Sequence, residues 1–245
     1  MKKRKLLLIT VMIVLIGAVF YLYNGFNGNP LSKYLAKHEL KTYLQETYPD
    51  KEFTVSDGFY NFKVSGYEFT VTEIGSTDDD GHVLEYEFTV SGFINPKVYR
   101  DGIYEANLDH QLAKRLNDQI VEELSPLLKE KVETFYHMEC YIEVLKGKYP
   151  GDVKWSKEIE LEKPIAFFIQ IDSTKQSAEE FFKASQTIKK IIDKEDYDYE
   201  TIMINGIMFE EEEDHEDYFL KYSIAVDKGE TLKKKDLEKH NEDLY

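Results

Sequence analysis

Residues 2–23 read KKRKLLLITVMIVLIGAVFYLY, and this stretch decides how the rest of the chain must be built. Four cations, Lys2, Lys3, Arg4 and Lys5, precede an apolar run over residues 6–23 whose one clear polar side chain is Thr10. As a helix, those 18 residues span roughly 27 Å, close to the hydrocarbon thickness of a bilayer. Lipid offers no partner to backbone N–H and C=O groups, so a helix is the form in which one segment crosses. The next cation after the run is Lys33. The cationic side stays inside, so the N-terminus is expected in the cytoplasm and the remainder beyond the membrane. Tyr21 and Tyr23 suit the outer interface, where an aromatic ring meets water at one edge. A cleaved signal peptide is the rival reading, but it needs small residues at the cut. Ile16 stands two places before Ala18, and no cysteine closely follows the run to take a lipid.

The charge of the remainder narrows its chemistry. The chain carries −16, and setting aside its four leading cations leaves −20 for the rest. Such a surface excludes nucleic acid as a partner, since that requires a basic footprint. It also implies repulsion from anionic lipid and anionic wall polymers, and solubility as its plainest meaning. About 220 residues beyond the run suffice for one core or two smaller ones. Cys140 is the single cysteine, so no internal disulfide forms, and no N-x-Ser/Thr acceptor is present.

In order, the pattern predicts an α+β protein: the N-terminal transmembrane helix, then two antiparallel-sheet-plus-helix units. Residues 1–5 form a cytoplasmic stub, 6–23 the transmembrane helix and 24–30 a Gly/Asn linker. Asn29 caps and Pro30 opens a helix ending near Pro49, with Ala36, Leu40, Tyr43, Leu44 and Tyr48 as its inner stripe. Leu31, Tyr34 and Leu35 point away from that stripe, toward the membrane surface. Glu-Phe-Thr-Val recurs at 52–55, 68–71 and 87–90, with 59–64 as a further strand. Asp57-Gly58, Ser65-Gly66 and Asp80-Gly81 supply turns, giving a four-stranded antiparallel meander within a first unit at 31–98.

The second unit is expected at 99–227. It opens with a helix bearing Leu108, Leu112, Leu116, Ile120 and Leu124, which Pro126 kinks or ends. A strand at 135–145 follows, with its partner beginning at 158–161, and then a strong strand with Ile165, Phe167, Ile169 and Ile171 inward. Ser177-Ala178-Glu179-Glu180 is a capping box opening a further helix. Strands at 199–209 and 218–226 complete the unit, with Asn205-Gly206 either a tight hairpin or a bulge. Residues 228–245 form a polar tail with a short helix from Glu230.

Together, Asn29-Pro30-Leu31-Ser32-Lys33-Tyr34, Tyr48-Pro49, Tyr86-Glu87-Phe88-Thr89-Val90 and Asp101-Gly102-Ile103-Tyr104 resemble the YfjL-like proteins of bacillus-type Gram-positive bacteria. The resemblance covers nearly the whole chain, and its motifs are caps and strand patterns. It implies a single-pass membrane protein with an exported region. It implies no activity and no site residue.

Candidate chemistry is sparse. Residues 76–81 read STDDDG, with oxygen side chains at Ser76, Asp78 and Asp80, Gly81 at the sixth place and Glu87 at the twelfth. That is the ligand spacing of a calcium loop, so calcium held by Asp78, Asp80 and Glu87 is one expectation. The strand-like flanks favour instead an Asp-Gly hairpin turn. The acidic run at 210–217 is a second place for weak cation binding, or a solvated loop. Cys140 with His137 as base would suit thiolate chemistry, but three places apart on a strand sets them on opposite faces. Cys140, sharing a face with Met138 and Ile142, reads as core. His38-Glu39 resembles the start of a zinc-protease helix, with Thr42 where a second His would stand. The 18 tyrosines serve core edges or an exposed aromatic strip for a glycan or peptide. The leading reading is a membrane-tethered extracytoplasmic module that binds an envelope protein or wall component, or is structural. The alternatives are an envelope hydrolase using acidic residues and a divalent-cation module.

Overall fold

The computed structural model describes residues 2–78, 80–209 and 218–240. The chain forms two compact units, Met1–Asn107 and Leu108–Tyr245.

In the first, helix α1 covers Lys2–Asn27, 26 residues. Its most apolar 18-residue window has no buried part, and it is long and apolar enough to cross a membrane. It runs through most of the stretch expected as a linker at 24–30. The cause is local: the Asn24 and Asn27 amides donate to the carbonyls of Phe20 and Tyr23, supporting the final turns instead of breaking them. Only Gly28 and Asn29 separate α1 from α2, Pro30–Thr47. Asn29 caps α2, its side-chain oxygen accepting from Ser32 N at 2.9 Å, with Pro30 in the first helical turn. The stripe Ala36, Leu40 and Leu44 is buried against Phe69, Val71, Phe88, Val90 and Ile103.

The first sheet has five strands, not four: β1 (Phe53–Val55), β2 (Phe59–Asn61), β3 (Gly66–Thr77), β4 (Val83–Ser91) and β5 (Lys97–Asp101). It is not a simple meander. β1 and β2 both pair antiparallel with the same edge of β3, as Val55↔Val71 and Phe59↔Glu68. Four steps along that edge oppose three on β3, so Asp57-Gly58 is a bulge within one interrupted strand and not a hairpin turn. Gly58 has φ +69° and lies where a Cβ would strike the Phe69 ring. β5 was hidden by Pro96 but pairs with β4 from Phe88↔Asp101 to Ser91↔Lys97. The boundary expected at 98/99 therefore falls inside a paired strand. A short helix α3, Gly102–Ala106, closes the unit, capped by Asp101.

The second unit opens with α4, His110–Lys131. Its leucine stripe continues to Leu128, and the helix passes through Pro126 without ending there. β6 (Phe135–Tyr141) and β7 (Ile165–Asp172) pair antiparallel. The expected strand at 158–161 is not one; residues 142–164 are connecting loop with turns. Helix α5, Ala178–Lys194, carries the reciprocal capping box of Ser177 and Glu180. It crosses back so that β8 (Tyr199–Phe209) runs parallel to β7, making this sheet mixed. β8 is one continuous strand through Asn205-Gly206, so there is no hairpin there; Gly206 pairs with Tyr222 and Ile207 with Leu220, so the bulge's extra residue is Lys221 on the following strand, opposite Gly206. β9 (Tyr218–Asp227) and the short β10 (Glu238–Lys239) complete the order β10-β9-β8-β7-β6. Where a tail helix was expected there is a single 3-10 turn, Lys234–Asp236, before β10. Both helices cover one face: Leu116, Ile120, Leu124, Phe181 and Ile188 pack with Phe167, Ile169, Ile202 and Ile204. The architecture is α+β, one apolar N-terminal helix followed by sheet-and-helix units.

Candidate functional site

In the first unit the sequence builds a pocket where α1 passes into α2. The Tyr67 hydroxyl accepts from Asn29 N and donates to Asn29 O, both at 2.8 Å, and lies 2.8 Å from Ser32 Oγ. It thereby ties the α2 cap to β3. Tyr60 donates to Gly25 O at 3.3 Å, tying β2 to α1. Gly28 has φ +67°, and a Cβ there would meet the Tyr67 hydroxyl and the Tyr60 ring. These contacts frame a cavity of about 400 Å³ lined by Tyr21, Asn24, Ser65, Tyr67 and Phe93 among others.

On the other side of α2, Tyr43 and Tyr48 each donate to Asp101 Oδ2 at 2.7 Å. Asp101 Oδ1 accepts from Ile103 N and Tyr104 N. Burial, then the Asp101 hydrogen bond and charge, push Tyr43 up to about 12 and Tyr48 up further. With all its lone pairs engaged, this carboxylate is a structural clasp.

Of the expected calcium ligands, Asp78 and Asp80 come together, while Glu87 is paired within β4. Ser76 donates to Glu73 Oε1 at 2.7 Å and turns away from the loop. Glu87 lies in β4 opposite Thr70. The ligand atoms that do come within 4.8 Å of one another belong to Asp78, Asp80 and His82, all exposed. Asp78 Oδ1 accepts from the backbone N–H of Asp80 and His82, and its Oδ2 lies 3.3 Å from His82 Nδ1. Asp79 and the acidic run at 210–217 lie outside the described residues. Glu73 itself is buried; burial works against its charge, yet hydrogen bonds from Ser76, Lys51 and Tyr86 outweigh that and hold its carboxyl low.

Cys140 is buried beside Met138, while His137 is exposed on the opposite face. Its Sγ lies 2.7 Å from Asn117 Oδ1, and burial, with the charges of Asp118 and Glu139, pushes the thiol up to about 12. A thiol so held is not a nucleophile at neutral pH. Lys189 is similarly locked: its ammonium donates to Asp193 at 2.7 Å and to Tyr199 at 3.2 Å. Desolvation opposes its charge, but those partners prevail and raise its pKa, which is unsuited to a base.

Among the described residues, one face of the second sheet carries exposed side chains that the sequence only hinted at. Register places Glu139, Phe168, Met203 and Ala225 in one row across β6 to β9, with Tyr141, Ala166 and Thr201 in the next. Their cross-strand alternates are the buried residues beneath α4 and α5. Tyr141 is 54% exposed, Phe168 40% and Met203 37%. At its edge the rings of Tyr136, Phe209 and Tyr218 follow one another with centroids 5.1 and 6.4 Å apart. Alternation in β6, β7 and β8 marks these positions in the sequence. Their joining into a patch depends on the parallel β7–β8 pairing, which was missed.

Two family descriptions match: YfjL-like N-terminal domain over residues 3–102 and YfjL-like C-terminal domain over residues 119–240. An uncharacterized protein YfjL of Bacillus subtilis (strain 168) is 31% identical over 221 residues, 90% of this chain and 92% of that protein. No solved structure matches the chain. With both domains present in order and the likeness extending over nine-tenths of its length, the chain belongs to the YfjL-like family.

Proposed function

We propose that the protein is a single-pass, membrane-anchored module that acts outside the cytoplasm by binding and not by catalysis. Its partner is another envelope protein or a wall component. The anchor is α1, whose apolar surface is unburied and whose leading cations set its direction. The observation that carries the binding role is this exposed face of the second sheet. Exposed aromatic and sulfur-bearing side chains in one patch, flanked by Glu139 and Asn205, have the composition of a contact surface. A photoreactive residue replacing Met203 in the full membrane-bound chain is expected to give one discrete adduct in intact cells. Adding Phe168→Glu should abolish it. No adduct, or one indifferent to Phe168→Glu, contradicts the reading.

The β3–β4 turn supports a second, separate role as a weak divalent-cation site, because the Asp78, Asp80 and His82 ligand atoms converge. Two carboxylates with an imidazole suit a transition metal better than calcium. Manganese binding followed by relaxation should weaken about tenfold in a D78N/D80N chain; unchanged binding contradicts it.

A further inference from the structure

One end of the first sheet carries two turns, residues 62–65 between β2 and β3 and residues 92–96 between β4 and β5. Register sets them side by side, since Gly66 pairs with Ser91 and Ser91 Oγ donates to Val64 O at 3.3 Å. Their tips are apolar and point to solvent: Phe62, Val64, Phe93 at 60% exposure and Ile94 at 82%. Four such side chains would ordinarily be hidden by something.

The same end packs on α1. The Phe26 and Phe62 rings lie 5.8 Å apart, and Ser65, Gly92 and Phe93 share the junction cavity with Tyr21 and Asn24. Tyr21 belongs to the apolar run that ends at Tyr23. The turns thus reach the level of its last helical turn.

Charge agrees. Residues 59–67 and 91–100 contain Lys63, Lys97 and Arg100 and no acid, in a chain with 47 acids; Arg100 is held by Glu105 at 2.8 Å, which leaves Lys63 and Lys97 as the exposed cations of the two turns. The first acid of the whole chain is Glu39. Of the acids that flank the β2 turn, Glu68 accepts from the Asn61 amide at 2.6 Å and Asp57 is paired with Lys33 at 2.7 Å. Strong net negative charge therefore conceals a locally basic, apolar end.

We infer that this end of the first unit is a lipid-docking surface: Phe62, Val64, Phe93 and Ile94 enter the headgroup boundary of the bilayer that α1 crosses, with Lys63 and Lys97 meeting anionic headgroups. The inference rests on the anchoring proposed above. Apolar tips flanked by cations bind such interfaces through buried area together with attraction to anionic lipid. Docking would hold the sheet against the membrane and leave the β3–β4 turn at its far end, about 26 Å along β4 (Val83–Ser91) at roughly 3.3 Å per residue.

The test places an environment-sensitive fluorophore on the full chain at Ile94→Cys, Val14→Cys or His82→Cys, in vesicles of phosphatidylcholine and phosphatidylglycerol. Native Cys140 is buried and its thiol is raised to about 12, so labelling at pH 7 spares it. A quencher on the lipid chains is expected to dim the Val14→Cys and Ile94→Cys labels at least twofold and to leave His82→Cys unaffected. Lys63→Glu with Lys97→Glu should reduce the Ile94→Cys effect in the anionic vesicles. Quenching at Val14→Cys with none at Ile94→Cys overturns docking and leaves anchoring standing. No quenching at Val14→Cys overturns both.

Discussion

The hydroxyl of Tyr67 fixes where α2 begins. It satisfies the cap residue Asn29 on both backbone groups and meets Ser32, so Tyr67→Phe leaves a buried cap short of partners. A loss of about 1–3 kcal/mol in urea unfolding of the detergent-solubilised chain is expected. Gly28→Ala should cost about 1–2 kcal/mol from its left-handed backbone alone, and more from the collision with Tyr67. The Tyr43–Asp101–Tyr48 clasp makes a pH prediction. Tyr43 titrates near 12 when folded against 10.0 in its ordinary state, so the folded protein binds its proton more tightly. Its contribution is fully present below pH 10, and stability falls as pH rises toward 12 and above. Tyr48 extends the same trend. Unfolding followed at pH 8, 10 and 11 should show this decline, and Tyr43→Phe with Tyr48→Phe should flatten it. At this scale the sequence shows local partners well: Asn29 with Ser32 and Ser177 with Glu180 lie three residues apart. It is silent on Tyr67 with Asn29 and Tyr48 with Asp101, which are 38 and 53 residues apart. Residue type alone cannot choose among so many tyrosines.

At the scale of elements, apolar stripes decide more than breakers do. Pro126 does not end α4, because Leu124, Leu128 and Val132 keep burying the same side of the chain. Proline still removes one backbone donor from the helix interior. Pro126→Ala is therefore expected to stabilise the second unit by about 1 kcal/mol or more, seen as a higher unfolding midpoint; a lower midpoint contradicts this. Leu116→Ala, by contrast, empties a fully buried site and should cost about 2–5 kcal/mol. The helices, the capping box and most strands follow from period and punctuation. Strand pairing does not, because pairing is a matter of distant neighbours. The dipeptides Asp57-Gly58 and Asn205-Gly206 have turn chemistry, yet both lie at bulges in strands already committed to partners. β7 and β8 are separated by α5, and that crossover was the available sign that they run parallel.

At the scale of the molecule, the distribution of charge matters more than its sum. Residues 1–38 hold no acid, and the turns beside α1 hold none either. The acids accumulate elsewhere, including the β3–β4 turn and 210–217. The net −16 implies repulsion from anionic lipid; the docking end inferred beside α1, where Lys63 and Lys97 are exposed, would reverse it locally. The central claim is that α1 holds the protein in a membrane with both units on the far side from its leading cations. Wall-stripped cells making the full chain with a C-terminal tag test it most directly. Membranes washed in alkaline carbonate should retain the protein, and protease added outside should remove the tag. Release by the wash, or a tag that survives external protease while the membrane is intact, would contradict the account.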